Sequence, residues 1–368
     1  MRKCLSLLGL VLFALSACTS NASAPADTQG AADEKGDLAT ATPEEQEQQT
    51  LVVMTHDSFA ISDEVLEAFQ QENNVEMSFI RSGDTGMAVN AAVLAAGKPF
   101  ADVFYGVDNT FLSRALEADI FEVYQPSLLA EIPVEFQLDP QYRVVPVDYG
   151  DVCLNYDRLY FEENNLAPPS SLEDLLSPAY AEMLAVPNPA SSSPGLAFLL
   201  TTIGHFGEEG YLEYWQGLAE NGLKVVNDWE TVYNIEFSRW GGTRPVVVSY
   251  GSSPPFEVLY AVEPIESPPT GVLTADGACY RQIEFVGILK GTGQRALAEK
   301  WVDFMLSTTF QEDLPLQMYV FPVNPQAQLD QVFLDFLAIP ENPVMLDPEK
   351  ITENREKWIN DWRETVLR

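Results

Sequence analysis

Residues 51–80 read LVVMTHDSFAISDEVLEAFQQENNVEMSFI, and the class of fold follows most directly from this stretch. The apolar residues 51–55 predict a short buried strand, and a polar loop comes directly after it. Within residues 62–71, Val65, Leu66 and Phe69 recur at helical spacing, which predicts an amphipathic helix. Because residues 75–80 predict a second strand, the stretch as a whole is a strand–helix–strand unit.

The same alternation recurs along the rest of the chain. A polar loop at 82–86, a helix of small residues at 87–96 and a strand at 101–105 come next. Further strands are predicted at 152–156, 246–250 and 281–289, and further helices from Leu172 onward, at 296–306, and around Trp358 and Trp362. Repeated units of this kind predict an α/β fold in which helices flank mainly parallel sheets.

The chain is long enough to form two lobes, each with its own core. The strand pattern restarts near residue 147, so a second lobe is predicted to begin there. Residues 51–146 and 285–320 are assigned to lobe 1, and residues 147–284 and 321–368 to lobe 2.

Residues 1–17 have the pattern of a signal peptide. Two positive charges precede an apolar run, residues 4–15, which is too short to span a bilayer. Leu15-Ser16-Ala17-Cys18 then resembles the bacterial lipobox, in which the cysteine thiol accepts the lipid. Residues 18–49 are polar and acidic and predict a disordered tether. We therefore expect an extracytoplasmic protein anchored to the cell membrane through Cys18; the alternative is an ordinary secretory signal with an incidental cysteine.

The formal net charge of −35 at pH 7 argues against binding to nucleic acid and against adsorption to anionic lipid. It favours a cationic solute only weakly, because acidity is also explained by adaptation of the surface to the organism's medium. The composition therefore argues against nucleic acid and anionic lipid as partners but does not identify the ligand.

Two cysteines, Cys153 and Cys279, remain in the folded part of the chain. Export to an oxidising compartment permits a disulfide between them, and we predict one close to the hinge between the lobes; free thiols are the alternative. The two histidines, His56 and His205, are far apart, so neither a metal site nor any other cofactor is predicted.

Five short polar loops are candidates for a binding site, because ligands bind beyond the carboxyl ends of the strands in open α/β sheets. They are residues 56–58, 84–86, 191–195, 228–230 and 250–253. Loop 191–195 starts a helix whose N–H groups could hold a phosphate or carboxylate, although plain helix capping explains the same residues. Trp229, Tyr250 and Tyr319 offer aromatic faces that attract cationic rings.

Catalytic signatures are lacking in the sequence. His56, Asp57 and Ser58 are adjacent, whereas the members of a catalytic triad converge from separate elements. The sequence has no Gly-x-Ser-x-Gly and no glycine-rich phosphate loop. It therefore predicts a binding protein and not an enzyme.

Several of these segments together resemble the thiamine-binding proteins of ABC importers. The resemblance is carried, in order along the chain, by residues 55–59, 101–103, 106–109, 146–150, 192–196, 249–250, 253–254 and 319–323. It implies the type II periplasmic-binding fold, with a ligand cleft between two lobes, and an ABC permease as partner. It also implies a monomer that captures thiamine or thiamine phosphates, with the phosphate held at the hydroxyl-lined helix start.

Position by position, the resemblance assigns a set of residues to the thiamine pocket. These are Asp84, Thr85, Ser192, Ser193, Trp229, Tyr250, Gly251, Ser252 and Ser253. His56 and Tyr319 belong to the same set, although the family often has Tyr at the first position and can have Trp at the second. At position 256 this chain has Phe, where the resemblance implies an aromatic ring that carries a hydroxyl group.

Three alternatives compete with this interpretation. Ferric-ion binders of the same fold use neighbouring tyrosines, but Tyr250 is followed by Gly251. A polyamine-type binder of the same fold is the second alternative. The third is a lipid-anchored extracellular hydrolase, which would need a nucleophile with a convergent base.

Overall fold

The computed structural model describes residues 48–367, and the stretch 51–80 forms the predicted unit. Strand β1 (Gln49–Thr55) leads to helix α1 (Asp63–Asn73) and then to β2 (Val75–Arg81), which pairs with β1 in parallel. The Ser62 hydroxyl accepts a hydrogen bond from the backbone N–H of Val65 and so caps α1. The predicted signal peptide, the lipidation site at Cys18 and the tether up to residue 47 lie outside the described residues.

Within the described residues, ten strands form one mixed sheet in the order β2-β1-β3-β9-β4-β7-β5-β6, with β8 and β10 paired to β4. The other strands are β3 (Val103–Asp108), β4 (Val145–Asp157), β5 (Leu184–Pro187), β6 (Lys224–Val226), β7 (Val246–Tyr250), β8 (Thr270–Leu273), β9 (Tyr280–Ile288) and β10 (Phe321–Pro322). Parallel pairs occupy both ends of the sheet, whereas β4 and β9 pair antiparallel with each other and with their neighbours.

Helices surround this sheet, as the α/β prediction requires. They are α2 (Thr85–Leu94), α3 (Leu112–Glu117), α4 (Arg158–Glu163), α5 (Ser193–Glu220), α6 (Trp229–Thr231), α7 (Ser253–Leu259), α8 (Arg295–Met305), α9 (Thr308–Gln317), α10 (Gln331–Phe336) and α11 (Pro348–Val366). The α/β class is therefore confirmed. The sheet differs from the prediction of mainly parallel sheets, because it is a single mixed sheet in which β4 and β9 pair antiparallel with their neighbours. Helix α5 is kinked at Gly207, where φ is 73°.

Three local predictions differ from the structure. The helix expected from Leu172 is only a 3₁₀ turn, Glu173–Leu176, because Pro178 begins a second short turn soon after it. The strand expected at 152–156 is the second half of the longer β4. Trp229 was placed in a loop but begins α6, with Asp228 as the capping residue.

Buried apolar side chains form two groups on the sheet. One group packs α1, α8 and α9 against β1 and β3 through side chains such as Phe69, Trp301 and Phe310. The other packs α5 and α11 together through Trp215 and Trp362, whose ring centroids are 5.6 Å apart. The lobe boundaries at residues 147 and 284 remain a prediction.

Cys153 and Cys279 are joined by a disulfide, with their Cα atoms 4.4 Å apart. Cys153 lies in β4, and Cys279 directly precedes Tyr280, whose backbone pairs with Val152 in that strand. The bond therefore links neighbouring chain segments that are separated by 126 residues of sequence. Among the described helices, none is long and apolar enough to cross a membrane.

Candidate ligand-binding site

A cavity of about 240 Å³ opens where several strands end and the next helices begin. All five predicted loops contribute to its lining, through residues 56–58, 84–85, 193–194 and 228–230 and through Tyr250. The remaining lining residues are Asn234, Phe256, Glu284 and residues 317–320. The position agrees with the rule that ligands bind at the carboxyl ends of strands.

Asp84 connects three helix starts at this cavity. Its Oδ1 accepts hydrogen bonds from the backbone N–H groups of Thr85, at 2.7 Å, and Ser193, at 3.2 Å. Its Oδ2 accepts from the N–H of Trp229 at 3.1 Å. Burial raises the pKa of Asp84, and these backbone hydrogen bonds act in the opposite direction by favouring the charged form. One side chain thus holds α2, α5 and α6 around the cavity.

The start of α5 is fully hydrogen-bonded. Ser193 N–H donates to Asp84, Pro194 has no N–H, and Gly195 N–H donates to the Ser192 hydroxyl at 3.4 Å. The N–H of Leu196 donates to the Ser192 carbonyl oxygen. The first turn of this helix therefore presents no N–H group without a protein partner.

Aromatic rings form one wall of the cavity. Trp229, which is 6% exposed, stacks on Tyr233 with ring centroids 5.5 Å apart. The edges of Tyr250 and Tyr319 meet Trp229 at 5.7 and 5.3 Å. Tyr319 in turn stacks on Phe256 at 4.2 Å. Stacked and edge-on rings hold one another rigidly, which prepares the wall for a flat ligand.

Behind the wall, Gln282 of β9 positions two lining side chains. Its Oε1 accepts a hydrogen bond from the Tyr250 hydroxyl at 2.8 Å, and its Nε2 donates to the Ser193 hydroxyl at 2.8 Å. The same Nε2 donates to the buried carboxylate of Asp108. Burial raises the pKa of Asp108 to about 6, although hydrogen bonds from Thr110 and Gln282 favour its charged form.

The floor of the cavity is a buried acidic group. Glu284 lines the cavity, and its Oε2 lies 3.2 Å from the Tyr105 hydroxyl oxygen, which is also 2.6 Å from Oδ2 of Asp148. A tyrosine hydroxyl donates only one hydrogen. Because two carboxyl groups contact the same hydroxyl oxygen, the geometry favours a protonated carboxyl in this group.

The electrostatics of the floor lead to the same conclusion. Burial, together with the charges of Asp108 and Asp84, raises the pKa of Glu284 to about 8. Burial and the charge of Glu284 also raise the pKa of Asp148 well above its usual range. His56 Nε2 lies 3.4 Å from Glu284 Oε1, and burial lowers the pKa of His56, which favours the neutral ring.

The Glu284 carboxyl makes stability depend on pH. Its pKa is raised in the folded state, so its contribution to folding is present below about pH 4.5 and is lost as pH rises toward 8. We expect the unfolding free energy to fall by on the order of 1 kcal/mol per pH unit across this range. Thermal melts of the wild type and of Glu284→Gln between pH 5 and pH 8 test this. The variant is expected to lose stability less steeply, and parallel curves would contradict the assignment.

Glycine at position 106 allows His56 to reach the floor. A Cβ at Gly106 would lie 2.3 Å from His56 Cδ2, and the backbone there has φ of +99°. The Gly106 carbonyl also accepts a hydrogen bond from the Thr85 hydroxyl at 3.0 Å. A side chain at this position would therefore displace His56 and would strain the backbone.

The lining of the cavity is rich in acidic side chains. Within the described chain, the residues that line the cavity include five acids and neither lysine nor arginine. The acids are Asp57, Asp84, Asp228, Glu230 and Glu284. Asp57 lies at the exposed rim, while Glu284 is buried at the floor. Because the floor group that contains Glu284 favours a protonated carboxyl, the negative charge comes mainly from the other four acids, and such a cavity attracts cations and repels anions.

Seven of the residues assigned to the pocket line the cavity, and four do not. Those in the lining are His56, Asp84, Thr85, Ser193, Trp229, Tyr250 and Tyr319. Ser192 is buried as the cap of α5, and Gly251 N–H donates to the Asp151 carbonyl. Ser252 donates to the Tyr319 carbonyl, and Ser253 contacts Ser249, which accepts from the indole N–H of Trp229. These residues support the wall from behind.

Sequence reasoning missed Glu284 and misjudged Asp57. Glu284 interrupts an apolar strand, Ile283-Glu284-Phe285-Val286, and an acid at such a position is the signal that could have identified it. The position of Asp57 in the loop before α1 predicts a cap for the adjoining helix turn, but its Oδ1 accepts from the Gly83 N–H at 2.9 Å, which joins the first two cavity loops.

A metal centre has no support in the part of the chain that the structure describes, where no three His, Cys, Asp or Glu side chains are grouped to hold an ion. The acidic floor instead presents the Glu284 carboxyl to the cavity, and behind it the Tyr105 hydroxyl contacts Asp148. The arrangement is suited to non-covalent binding of a flat cation.

Residues 98–335 match the family model described as bacterial extracellular solute-binding protein. The chain belongs to this family. Two curated relatives are the thiamine-binding periplasmic proteins of Brucella suis and of Escherichia coli K12. The Brucella suis protein is 29% identical, and the match covers 87% of this chain and 93% of the relative. The Escherichia coli protein is 27% identical, and the match covers 86% of this chain and 94% of the relative.

Solved structures confirm the type II periplasmic-binding fold of this family member. A periplasmic thiamin binding protein superposes with a TM-score of 0.77 at 25% identity, over 88% of this chain and 98% of its own. A ferric binding protein from Campylobacter jejuni superposes with a TM-score of 0.69 at 17% identity, over 86% of this chain and 99% of its own. The latter likeness concerns the fold alone.

Proposed function

We propose that this solute-binding protein captures thiamine or a phosphate ester of thiamine for an ABC importer, without chemical turnover. The observation that carries the proposal is the cavity itself, which combines an aromatic wall with a lining of five acids. The thiamine-binding relatives support the same ligand, since they match most of the chain.

The chemistry of thiamine fits both the aromatic wall of the cavity and its acidic and polar side chains. Its thiazolium ring is a delocalised cation, which aromatic faces bind with little cost of desolvation. Its aminopyrimidine ring carries hydrogen-bond donors that carboxylate and hydroxyl oxygens can accept. Trp229 and Tyr319 would contact the rings, and Asp84, Thr85 and Glu284 are the polar groups within reach of the cavity.

The location of the protein is part of the proposal. We propose that Cys18 is lipidated and that the monomeric binding domain reaches the permease on a tether from the membrane surface. The support is the lipobox-like Leu15-Ser16-Ala17-Cys18 and the acidic segment after it. Mass spectrometry of the N-terminal peptide from native membranes would show a diacylglyceryl group on Cys18, and an unmodified or absent Cys18 peptide would contradict the anchor.

A thermal-shift experiment tests the ligand. A ligand at a hundredfold excess over its Kd stabilises the folded protein by about 2.7 kcal/mol, so thiamine is expected to raise the melting temperature and to quench tryptophan fluorescence. Ferric citrate and a polyamine serve as controls for the alternative ligands. Thiamine recovered unchanged after long incubation would support binding without turnover. A shift with ferric citrate and none with thiamine would overturn the proposal.

The rim acid Asp57 is expected to matter little. In Asp57→Asn the amide oxygen can still accept the hydrogen bond from Gly83, so the loop keeps its structure and loses one exposed charge. We expect thiamine binding to weaken by less than about 1 kcal/mol, as is usual for an exposed charge. Titration of both proteins at the same ionic strength measures this, and a loss of affinity above about fivefold, which corresponds to about 1 kcal/mol, would contradict it.

A further inference from the structure

We propose that the bound thiazolium cation displaces a proton shared by Glu284 and Asp148, so that Glu284 becomes the negative counter-charge of the ring. The inference deepens the proposed function and rests on it, because it identifies the acid that recognises the cation. The O–H bond of the carboxyl breaks, and the proton leaves through the cavity to water. Capture of the ligand then depends on pH.

Glu284 differs from the other acids of the cavity lining in its hydrogen bonds. Within the described chain, no N–H group donates a hydrogen bond to it. Each of the other acids accepts at least one such bond, namely Asp57, Asp84, Asp228 and Glu230. The hydroxyl of Thr85 and the amide of Asn234, which also line the cavity, donate to other acceptors. Since N–H donors favour an ionised carboxyl, Glu284 lacks the contacts that keep the other acids charged.

The contacts of Glu284 place a proton between it and Asp148. The Tyr105 hydroxyl oxygen lies 2.6 Å from Asp148 and 3.2 Å from Glu284, and it has one hydrogen to donate. The other oxygen of Glu284 is 3.4 Å from Nε2 of His56, a buried atom without a hydrogen bond in the described chain. The two carboxyls therefore need one further hydrogen, and Glu284 holds its share at the surface of the cavity.

The groups around this pair supply no positive charge. In the described chain, neither carboxyl forms an ion pair with Lys or Arg. The titratable groups that face Glu284 are Tyr105 and Asp108 of β3, Asp148 of β4, Tyr250 of β7, Asp84 at the start of α2 and His56 after β1. Burial lowers the pKa of His56 and raises those of the two tyrosines, so all three are neutral at pH 7. Burial raises the pKa of Glu284 to about 8, and the free protein therefore keeps the proton at neutral pH.

A cation in the cavity reverses this preference. A nearby positive charge favours the ionised carboxyl. The thiazolium nitrogen is bonded only to carbon, so its charge does not change with pH and it has no hydrogen to give to the pair. The proton is present in the free protein and absent in the complex, which makes affinity rise with pH up to about 8 and level off above it.

The experiment is calorimetric titration of the wild type with thiamine in buffers that differ in their enthalpy of ionisation. The dependence of the heat on the buffer gives the number of protons released. We expect at least about half a proton per thiamine at pH 7. We also expect thiamine to bind about tenfold more tightly at pH 8 than at about pH 6.5.

Two variants of the pair are expected to differ from each other. Glu284→Gln cannot ionise, so it should release no proton, bind with the same Kd across this pH range and bind about tenfold more weakly than the wild type at pH 8. In Asp148→Asn the amide can donate to Glu284, which ionises before the ligand arrives. This variant should release little proton and bind thiamine at about pH 6.5 at least as tightly as the wild type. Glu213→Gln, on the exposed surface of α5, is the matched control and should behave as the wild type.

The outcomes separate this inference from the proposed function. Thiamine binding without proton release by the wild type would overturn the inference and leave thiamine capture intact. Proton release that persists in Glu284→Gln would overturn it as well, because another group would then hold the proton. Folded wild type that binds no thiamine at any pH would overturn the proposed function itself. The proton count of the wild type requires no variant, so it tests the inference even if a variant does not fold.

Discussion

Asp84→Ala is expected to lower the free energy of unfolding by about 2–4 kcal/mol and to weaken thiamine binding at least tenfold. The carboxylate accepts from the N–H groups of Thr85, Ser193 and Trp229, so its removal leaves three backbone donors without a partner. The start of α2 also loses its cap. Chemical denaturation measures the first effect, and ligand titration of the folded variant measures the second.

Two further variants serve as controls for that result. Asp330→Ala removes another aspartate cap, at the start of α10 on an exposed surface, and should cost only about 1 kcal/mol without affecting binding. Asp84→Asn keeps one accepting oxygen for Thr85 and Ser193 but cannot accept from Trp229, so it should recover part of the stability. If Asp84→Ala were no more harmful than Asp330→Ala, the bridging role of Asp84 would be wrong.

Trp229→Ala is expected to weaken thiamine binding by about 1–3 kcal/mol, which is on the order of tenfold to a hundredfold. The indole lines the cavity, and its face is held parallel to Tyr233 while its N–H donates to Ser249 at 3.1 Å. Its loss removes the largest ring from the wall and loosens Tyr250 and Tyr319, which pack against it.

Trp240→Ala is the matched control, since Trp240 is 44% exposed and lies outside the cavity lining. Circular dichroism of each variant establishes that the fold survives before affinity is compared. Normal binding by Trp229→Ala, together with loss of binding in Asp57→Asn, would show that the aromatic wall is a structural core and that the ligand binds elsewhere.

Much of the fold and the site could be predicted because the signals are local. The helix predicted within residues 62–71 begins at Asp63 in the structure, with Ser62 as its cap. The polar loops follow apolar strands, so their common position at the strand ends follows from sheet geometry. Trp229 and Tyr250 were identified because they lie beside such loops.

What could not be predicted depends on contacts between distant segments. Glu284 and Asp148 meet at the Tyr105 hydroxyl from three different strands, and no short window of sequence contains more than one of them. The start of α5 has the sequence of an anion site, yet the N–H of Ser193 donates to Asp84, a residue over a hundred positions earlier, and the N–H of Gly195 donates to Ser192. Tertiary structure determines whether the backbone N–H groups at a helix start are free or already hydrogen-bonded.

Calorimetric titration of the purified protein with thiamine measures directly whether the acidic and aromatic cavity binds this ligand. We expect saturable heat with one thiamine per chain and a Kd below about 1 μM, which corresponds to about −8 kcal/mol. Folded protein that gives no saturable heat with thiamine would show that this cavity does not bind it.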